Sequence, residues 1–395
     1  MTQQFDVIII GAGVAGCAAA IALLQQRSHT KVLLLERHLE NATPFRIGET
    51  LPAEISVLFQ QLGLLQRFEA RGDLKAQGTR SRWGDGALNE TPSLYSPYGH
   101  GWHIDRVSFD AWLQREAEQA GAVIMRGADL VEKPQYGDAW SLTVQEEGQR
   151  LEINTPLLVD ASGRGHVLGR NLGVRTQSLD KLVAVYRFFS VNDKQDGIPF
   201  DSHTLVESCP QGWWYSARLP QGQWVAALMT DSDLAQQHAV MDEAQWNKVL
   251  QEAEHTSERL SEVEAITPLQ VRPAHTQKLS QYCGPGWFAI GDAANTFDPL
   301  SSLGIFKAIR HGILVSHALI DKLIGKADAE RKYQHVLDME FKSYLAVRRD
   351  YYCCERKWSE SKFWQRRHFH AGEEADISRE SSLVPTVLRG NAYVR

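Results

Sequence analysis

The feature that most constrains the fold of this chain is a glycine-rich turn near its start. An apolar strand leads into three glycines in the spacing GxGxxG, and small apolar residues follow. In such a unit the first glycine permits a sharp turn, the second lets a pyrophosphate approach the backbone, and the third lets helix and strand pack closely. Free N–H groups at the helix N-terminus then favour phosphate binding. The residues predicted to contact a dinucleotide here are Gly11, Gly13, Val14, Ala15 and Gly16.

An acidic residue at the end of the next strand strengthens this prediction. The apolar run over residues 31–35 ends in Glu36, twenty residues after Gly16. A carboxylate at this distance is typical of a ligand for ribose hydroxyls. We therefore expect Glu36, with its neighbour Arg37, to lie at the nucleotide. The alternative is an ordinary strand–turn–helix unit without a ligand.

The composition limits the classes of function. The chain has 395 residues, of which 43% are hydrophobic and 23% charged, enough for two packed regions. A net charge of -6 argues against nucleic acid as the main partner. The five cysteines show no CxxC spacing, which favours a reduced cytoplasmic protein without a metal site or a disulfide framework. No apolar run reaches the roughly 18 residues of a membrane span.

Further strand-to-turn units define an α/β organisation. Residues 157–160 and 287–290 are apolar runs that lead into glycine-containing turns, and residues 182–229 alternate as in an antiparallel sheet. The predicted fold is a Rossmann-like dinucleotide-binding domain with an inserted antiparallel-sheet substrate domain and a C-terminal helical segment. The predicted boundaries are 1–80, 104–175 and 276–328 for the binding domain, 81–103 for a substrate-side loop, 176–275 for the inserted domain, and 329–395 for the helical segment.

Two titratable residues have both a structural and a functional interpretation. Glu49 follows Gly48 in a turn, where it is either a structural carboxylate or a group close to a cofactor ring. His103 is a lone histidine, and lone histidines are more often structural than catalytic. Either side chain could accept or relay a proton, so both are candidate catalytic residues.

Taken together, the motifs resemble the FAD-dependent aromatic hydroxylase group over residues 5–325. The set comprises the glycine-rich turn with Glu36, Arg106 at the start of a helix, an Asp-Ala-x-Gly turn, and a Gly-Asp pair followed by Asp-Pro and glycine. The resemblance implies FAD as the cofactor. Carried over onto this sequence, it implies FAD contacts by Gly48, Glu49, Arg106, Asp160, Ala161, Gly163, Gly291, Asp292, Pro299, Ser302, Leu303, Gly304 and Ile305.

Within that group, residues 48–52 and 298–304 are similar to the flavin-dependent tryptophan halogenases. Two departures count against halogenation. The tryptophan-rich motif of that branch is matched only poorly, by residues 213–215, and its lysine is replaced by Thr79, with Lys75 one turn away.

The C-terminal residues 351–358 and 363–367, with residues 212–215, look more like the LodB- and GoxB-type flavoproteins. This resemblance implies oxygenation of a tryptophan in a quinoprotein oxidase precursor during cysteine tryptophylquinone biogenesis. O2 would be the oxidant, and FAD would be reduced by NAD(P)H or by a separate flavin reductase. The alternatives are a halogenase or hydroxylase of a small aromatic metabolite, and a non-catalytic flavoprotein that positions a partner.

Overall fold

A parallel sheet forms the centre of the structure, a computed structural model that describes residues 3–39, 47–84, 86–146, 148–191 and 201–368. Its strands are mostly apolar and buried, as expected for a covered parallel sheet, except the edge strand Val123–Arg126. All pair in parallel except the first, and their order is Cys283–Gly284, Trp287–Ala289, Leu157–Asp160, Val7–Ile10, Val32–Glu36 and Val123–Arg126. The predicted Rossmann-like domain is confirmed.

Two long helices pack against each other beside this sheet. Helix Val14–Gln26 lies so close to helix Gly304–Leu323 that a Cβ at Gly312 would stand 2.7 Å from the backbone N of Ala19. None of the helices among the described residues is long and apolar enough to cross a bilayer. The other α-helices are Ile55–Gln61, Leu65–Glu69, Arg106–Gln119, Val167–Asn171, Ser232–Gln237, Glu243–Gln251, Glu254–Arg259 and Ala329–Cys354, and residues 362–368, at the end of the described chain, are also helical.

A second sheet has eight mostly antiparallel strands, which confirms the predicted antiparallel sheet. Its order is Val263–Ala265, Leu182–Val191, Gln223–Asp231, Gly212–Arg218, His203–Cys209, Gly78–Arg82 and Leu88–Pro92, with Gln270–Pro273 also paired to Leu182–Val191.

The predicted loop over residues 81–103 is largely structured. Leu88–Pro92 is an exposed edge strand, and Gly101–His103 pairs with Thr50–Leu51 and Leu74–Ala76. An edge strand with little buried surface lacks apolar alternation, so the sequence signal was weak. The domain boundaries themselves stay predictions.

Two further small sheets complete the described part of the chain. One is a five-stranded sheet of Gln3–Gln4, Gln149–Thr155, Trp140–Glu146, Asp129–Leu130 and Gln135–Tyr136. A three-stranded sheet consists of Thr176–Ser178, Gln277–Leu279 and Asn295–Thr296.

Aromatic side chains fill both faces of the eight-stranded sheet. Trp213 and Trp214 are adjacent on one strand and therefore point to opposite faces. On the first face the C-terminal segment packs its Phe363 and Trp364 into the cluster that contains Trp213. Seven of the eleven tryptophans are among the largest fully buried side chains, so most of them serve the core.

Candidate functional site

A cavity of about 850 Å³ lies at the carboxyl ends of the central parallel strands and extends to the eight-stranded sheet. Such an edge is where α/β sheets bind ligands. The predicted site residues that line it are Gly11, Gly13, Val14, Ala15, Glu36, Arg37, Gly48, Glu49, Arg106, Ala161, Gly163, Asp292, Pro299, Ser302, Gly304 and Ile305. Five others do not line it: Gly16, His103, Asp160, Gly291 and Leu303.

The glycine-rich turn forms one end of this cavity. Gly11 has a φ of 107° and approaches the strand end at Ala161, where a Cβ would stand 2.5 Å from the carbonyl oxygen. A Cβ at Gly13 would instead meet open space. The helix that follows has no side chain bonded to its first-turn N–H groups. Glu36 accepts from the backbone N–H of Ala12 at 3.0 Å, so its carboxylate is held beside the turn.

The predicted residues that do not reach the cavity organise the backbone around it. A Cβ at Gly16 would collide with the carbonyl oxygen of Gly11. Asp160 is fully buried, and it accepts from the N–H groups of Ser162 at 3.1 Å and Leu168 at 2.8 Å. These two therefore shape the turns, and a direct contact with FAD stays a prediction for each.

A buried lysine that the sequence did not single out holds Asp292. The Nζ of Lys307 lies 2.9 Å from Asp292 Oδ1, and Arg164 lies 4.0 Å from Oδ2. Burial alone would raise the pKa of Asp292, but the two cations outweigh it and hold that pKa below its usual range. Lys307 is only 1% exposed, which is rare for lysine. Asp292 is therefore a fixed carboxylate at the cavity wall.

Arg106 connects the start of its helix to the turn that carries Glu49. Its guanidinium donates to the carbonyl oxygens of Ile47 at 3.3 Å and Gly48 at 3.2 Å, and it pairs with Asp110. The arginine predicted to contact FAD thus also braces the 47–49 turn.

Glu49 is a buried acid at the cavity with a raised pKa. Its side chain is 1% exposed, and burial raises its pKa to about 7, partly offset by backbone N–H groups and by Arg106. Its Oε1 has no hydrogen-bond partner among the described residues. A carboxyl group that titrates near neutral pH in a cavity suits proton transfer.

Three side chains form a hydrogen-bonded chain beside Glu49. Thr50 Oγ1 lies 2.8 Å from Tyr215 Oη and 3.1 Å from His103 Nδ1. His103 is fully buried, contacts the carbonyl oxygen of Ser202 at 3.0 Å through Nε2, and has its pKa lowered to about 4 by burial. His103 therefore reaches the cavity only through other residues.

The eight-stranded sheet supplies the far wall of the cavity. The residues of the sheet there are Ala184, Trp213, Tyr215, Met229, Arg272 and Pro273, and Ala274 follows directly. Trp213 and Tyr215 lie on one face of their strand because side chains alternate along it. That alternation in Gly-Trp-Trp-Tyr is the signal that could have identified both residues as part of the site.

Tyr352 joins this far wall to the loop at Pro299. Its hydroxyl is 2.7 Å from Asp298 Oδ2 and accepts from the indole N–H of Trp213 at 3.1 Å. Arg348 also contacts Asp298, at 3.4 Å. One buried tyrosine of the C-terminal helix thus contacts both sides of the cavity frame.

We expect Tyr352→Phe to destabilise the protein by about 1–3 kcal/mol, because it leaves the Trp213 indole N–H without its acceptor and removes a donor to Asp298. Urea unfolding would measure this, with Tyr95→Phe, at an exposed tyrosine, as the control. Equal unfolding midpoints for the two variants would contradict the bridging role.

Two arginines near the end of the described chain, Arg366 and Arg367, form ion pairs with the eight-stranded sheet. Arg367 pairs with Asp231 at 2.8 Å, and Arg366 pairs with Asp231 and Asp233 at 2.8 and 2.7 Å. These pairs anchor the last described helical turns on the eight-stranded sheet.

The residues around the cavity fit FAD. The first-turn N–H groups at Gly13 suit a pyrophosphate, and Glu36 beside the turn suits a ribose. A Cβ at Gly304 would also meet open space, so the second long helix begins with room for a flat ring.

Comparison with known proteins identifies the class. The family model described as "FAD binding domain" matches residues 4–335. The chain belongs to this family and is an FAD-dependent oxidoreductase, which confirms the predicted enzyme class and cofactor.

One related sequence and two similar structures show which FAD-dependent proteins the chain resembles. The chain is 31% identical over 369 residues to LodB of Marinomonas mediterranea, named an FAD-dependent oxidoreductase, and the match covers 93% of this chain and 97% of LodB. The fold is similar to that of the myxobacterial chondrochloren halogenase CndH, with a TM-score of 0.83, 21% identity, and coverage of 99% and 96%. It is also similar to that of the peptidyl tryptophan dihydroxylase QhpG, with a TM-score of 0.72, 21% identity, and coverage of 92% and 78%.

The residues that stand at the halogenase lysine position do not reach the cavity. Thr79 lies on strand Gly78–Arg82, and Lys75 is an exposed residue of strand Leu74–Ala76. Because both residues are on strands, Lys75 does not lie one helical turn from Thr79. Neither lines the cavity.

Proposed function

We propose that this enzyme oxygenates the indole ring of a tryptophan in a partner protein precursor, during maturation of a tryptophylquinone cofactor. The observation that carries the proposal is the cavity itself. It runs from the predicted FAD contacts to a wall at Trp213 and Met229, and the buried acid Glu49, whose pKa is raised to about 7, lines it. The similarity to LodB and the fold shared with a peptidyl tryptophan dihydroxylase support it.

FAD, when bound and reduced, would supply the two electrons by which O2 gives one oxygen atom to an aromatic ring while the other leaves as water. The chain's own residues bind the substrate ring, orient it and keep water out of the cavity. The wall at Trp213 holds a flat ring by aromatic contact. Glu49 exchanges the proton, because it is the acid on the cavity side of the hydroxyl chain.

We propose NAD(P)H or a separate flavin reductase as the source of electrons. The sequence has no second glycine-rich fingerprint for a nicotinamide. A cytoplasmic location is part of the proposal, supported by five cysteines that are all free thiols.

Intact-mass spectrometry tests the function. A tryptophan-containing quinoprotein precursor would be incubated with the enzyme, reduced FAD, chloride and isotopically heavy O2. We expect heavy oxygen on tryptophan. A halogen isotope pattern would contradict the proposal and indicate halogenation instead, as the name of the chondrochloren halogenase describes for that enzyme. If the precursor stays unchanged while small aromatic compounds, tested in its place, are oxidised, the substrate is a metabolite and not a protein.

A further inference from the structure

Thr50, Tyr215 and His103 form a hydrogen-bonded series beside Glu49, and the donor in each of its hydrogen bonds follows from the groups that these residues contact. A carbonyl oxygen only accepts, so Nε2 of His103 must carry the hydrogen that bonds Ser202. Neutral His103 therefore has a bare Nδ1, which accepts from the Thr50 hydroxyl. Thr204 Oγ1 lies 3.5 Å from Thr50 Oγ1 and is the more distant acceptor.

The same assignment continues to the cavity. Because the Thr50 hydrogen points to His103, the 2.8 Å contact between Thr50 and Tyr215 must use the Tyr215 hydrogen. Tyr215 then has no hydrogen for Glu49 Oε2, which lies 3.5 Å away. The contact between them is satisfied only when the Glu49 carboxyl carries the proton and points it at the tyrosine oxygen.

We propose that Tyr215 and Thr50, oriented by His103, are positioning residues that hold the proton on Glu49 and make it a proton donor to the cavity. The use of that proton in oxygenation rests on the proposed function, whereas the protonation does not. The arrangement assigns His103 a role without contact to substrate or FAD.

The other charged and titratable groups around Glu49 do not outweigh the effect that keeps its carboxyl group protonated. Arg106, from the neighbouring helix, favours the carboxylate, but burial outweighs it. Tyr186, on strand Leu182–Val191 of the eight-stranded sheet, has its pKa raised by burial and stays neutral. A hydrogen donated by Tyr215 would also lower the pKa of Glu49, and burial outweighs that contribution too.

Infrared spectroscopy of the purified enzyme, with and without FAD, tests the proposal. The carbonyl band of a protonated carboxyl group would be followed over pH and assigned to Glu49 by its loss in Glu49→Gln. Thr50→Val removes the acceptor of the Tyr215 hydrogen, which then turns to Glu49 and favours the carboxylate. We expect the band to disappear at a pH on the order of one unit lower than in the wild type. Thr50→Ser keeps the hydroxyl and should titrate like the wild type.

Three outcomes would overturn the proposal. The first is a wild-type spectrum at pH 6 without a band that Glu49→Gln removes, and this comparison decides even if Thr50→Val does not fold. The second is an unchanged titration in Thr50→Val. The third is an equal shift in Thr50→Ser, which would trace the effect to packing. Each can occur with tryptophan oxygenation intact, so this proposal and the proposed function fail separately.

Discussion

Gly13→Asp is expected to yield a folded protein that is purified without bound FAD. The added side chain enters open space, and Gly13 has an extended backbone with a φ of -77°, so the fold tolerates it. Its carboxylate would stand at the helix N-terminus, where a pyrophosphate is expected. We expect FAD affinity to fall on the order of a hundredfold, about 3 kcal/mol. Flavin absorbance per polypeptide and calorimetric titration with FAD measure the effect.

The matched control is Gly137→Asp, which adds the same carboxylate at an exposed glycine far along the chain. It should keep its flavin. Full flavin content in Gly13→Asp would place the pyrophosphate elsewhere in the cavity.

Glu49→Gln is expected to stabilise the FAD-free protein at alkaline pH. Burial raises the pKa of Glu49 from 4.5 to about 7, so folding favours the protonated form. Wild-type stability should therefore fall as pH rises from about 4.5 through about 7, whereas glutamine does not titrate. Above pH 7 we expect the variant to be more stable by about 3 kcal/mol. The difference should vanish in acid.

Denaturant unfolding at pH 5 and pH 8 would measure this, with the exposed Glu258→Gln as the control. A stability difference that is the same at both pH values would mean that Glu49 keeps its ordinary pKa. In the proposed reaction the same variant should keep its FAD and lose most of its turnover, because glutamine donates no acidic proton.

The cofactor end of the site was predictable because its chemistry is local in sequence. Gly11, Gly13 and Glu36 are fixed by a turn and two adjacent strands, so spacing alone indicates their arrangement. The parallel strands were equally clear, since a strand buried on both faces is a continuous apolar run.

The acid end was not predictable because it depends on contacts between distant segments. Thr50, His103 and Tyr215 come from three strands, and Ser202 from the start of a fourth. Nothing in the sequence shows that Glu49 is buried, and burial is what raises its pKa. Lys307 was missed for the same reason, since its partner Asp292 lies 15 residues earlier.

The hydroxyl of Tyr352 has a consequence for how such an enzyme could change its substrate. Tyr352 lies beyond residue 335, where the match to the FAD family model ends. Its hydroxyl nevertheless contacts Trp213 on one wall of the cavity and Asp298 on the other. Substitutions in the C-terminal helix would therefore change the cavity wall at Trp213 from outside the part of the chain that matches the FAD family model. Substrate range and flavin binding would then vary as separate traits, encoded in different parts of the chain.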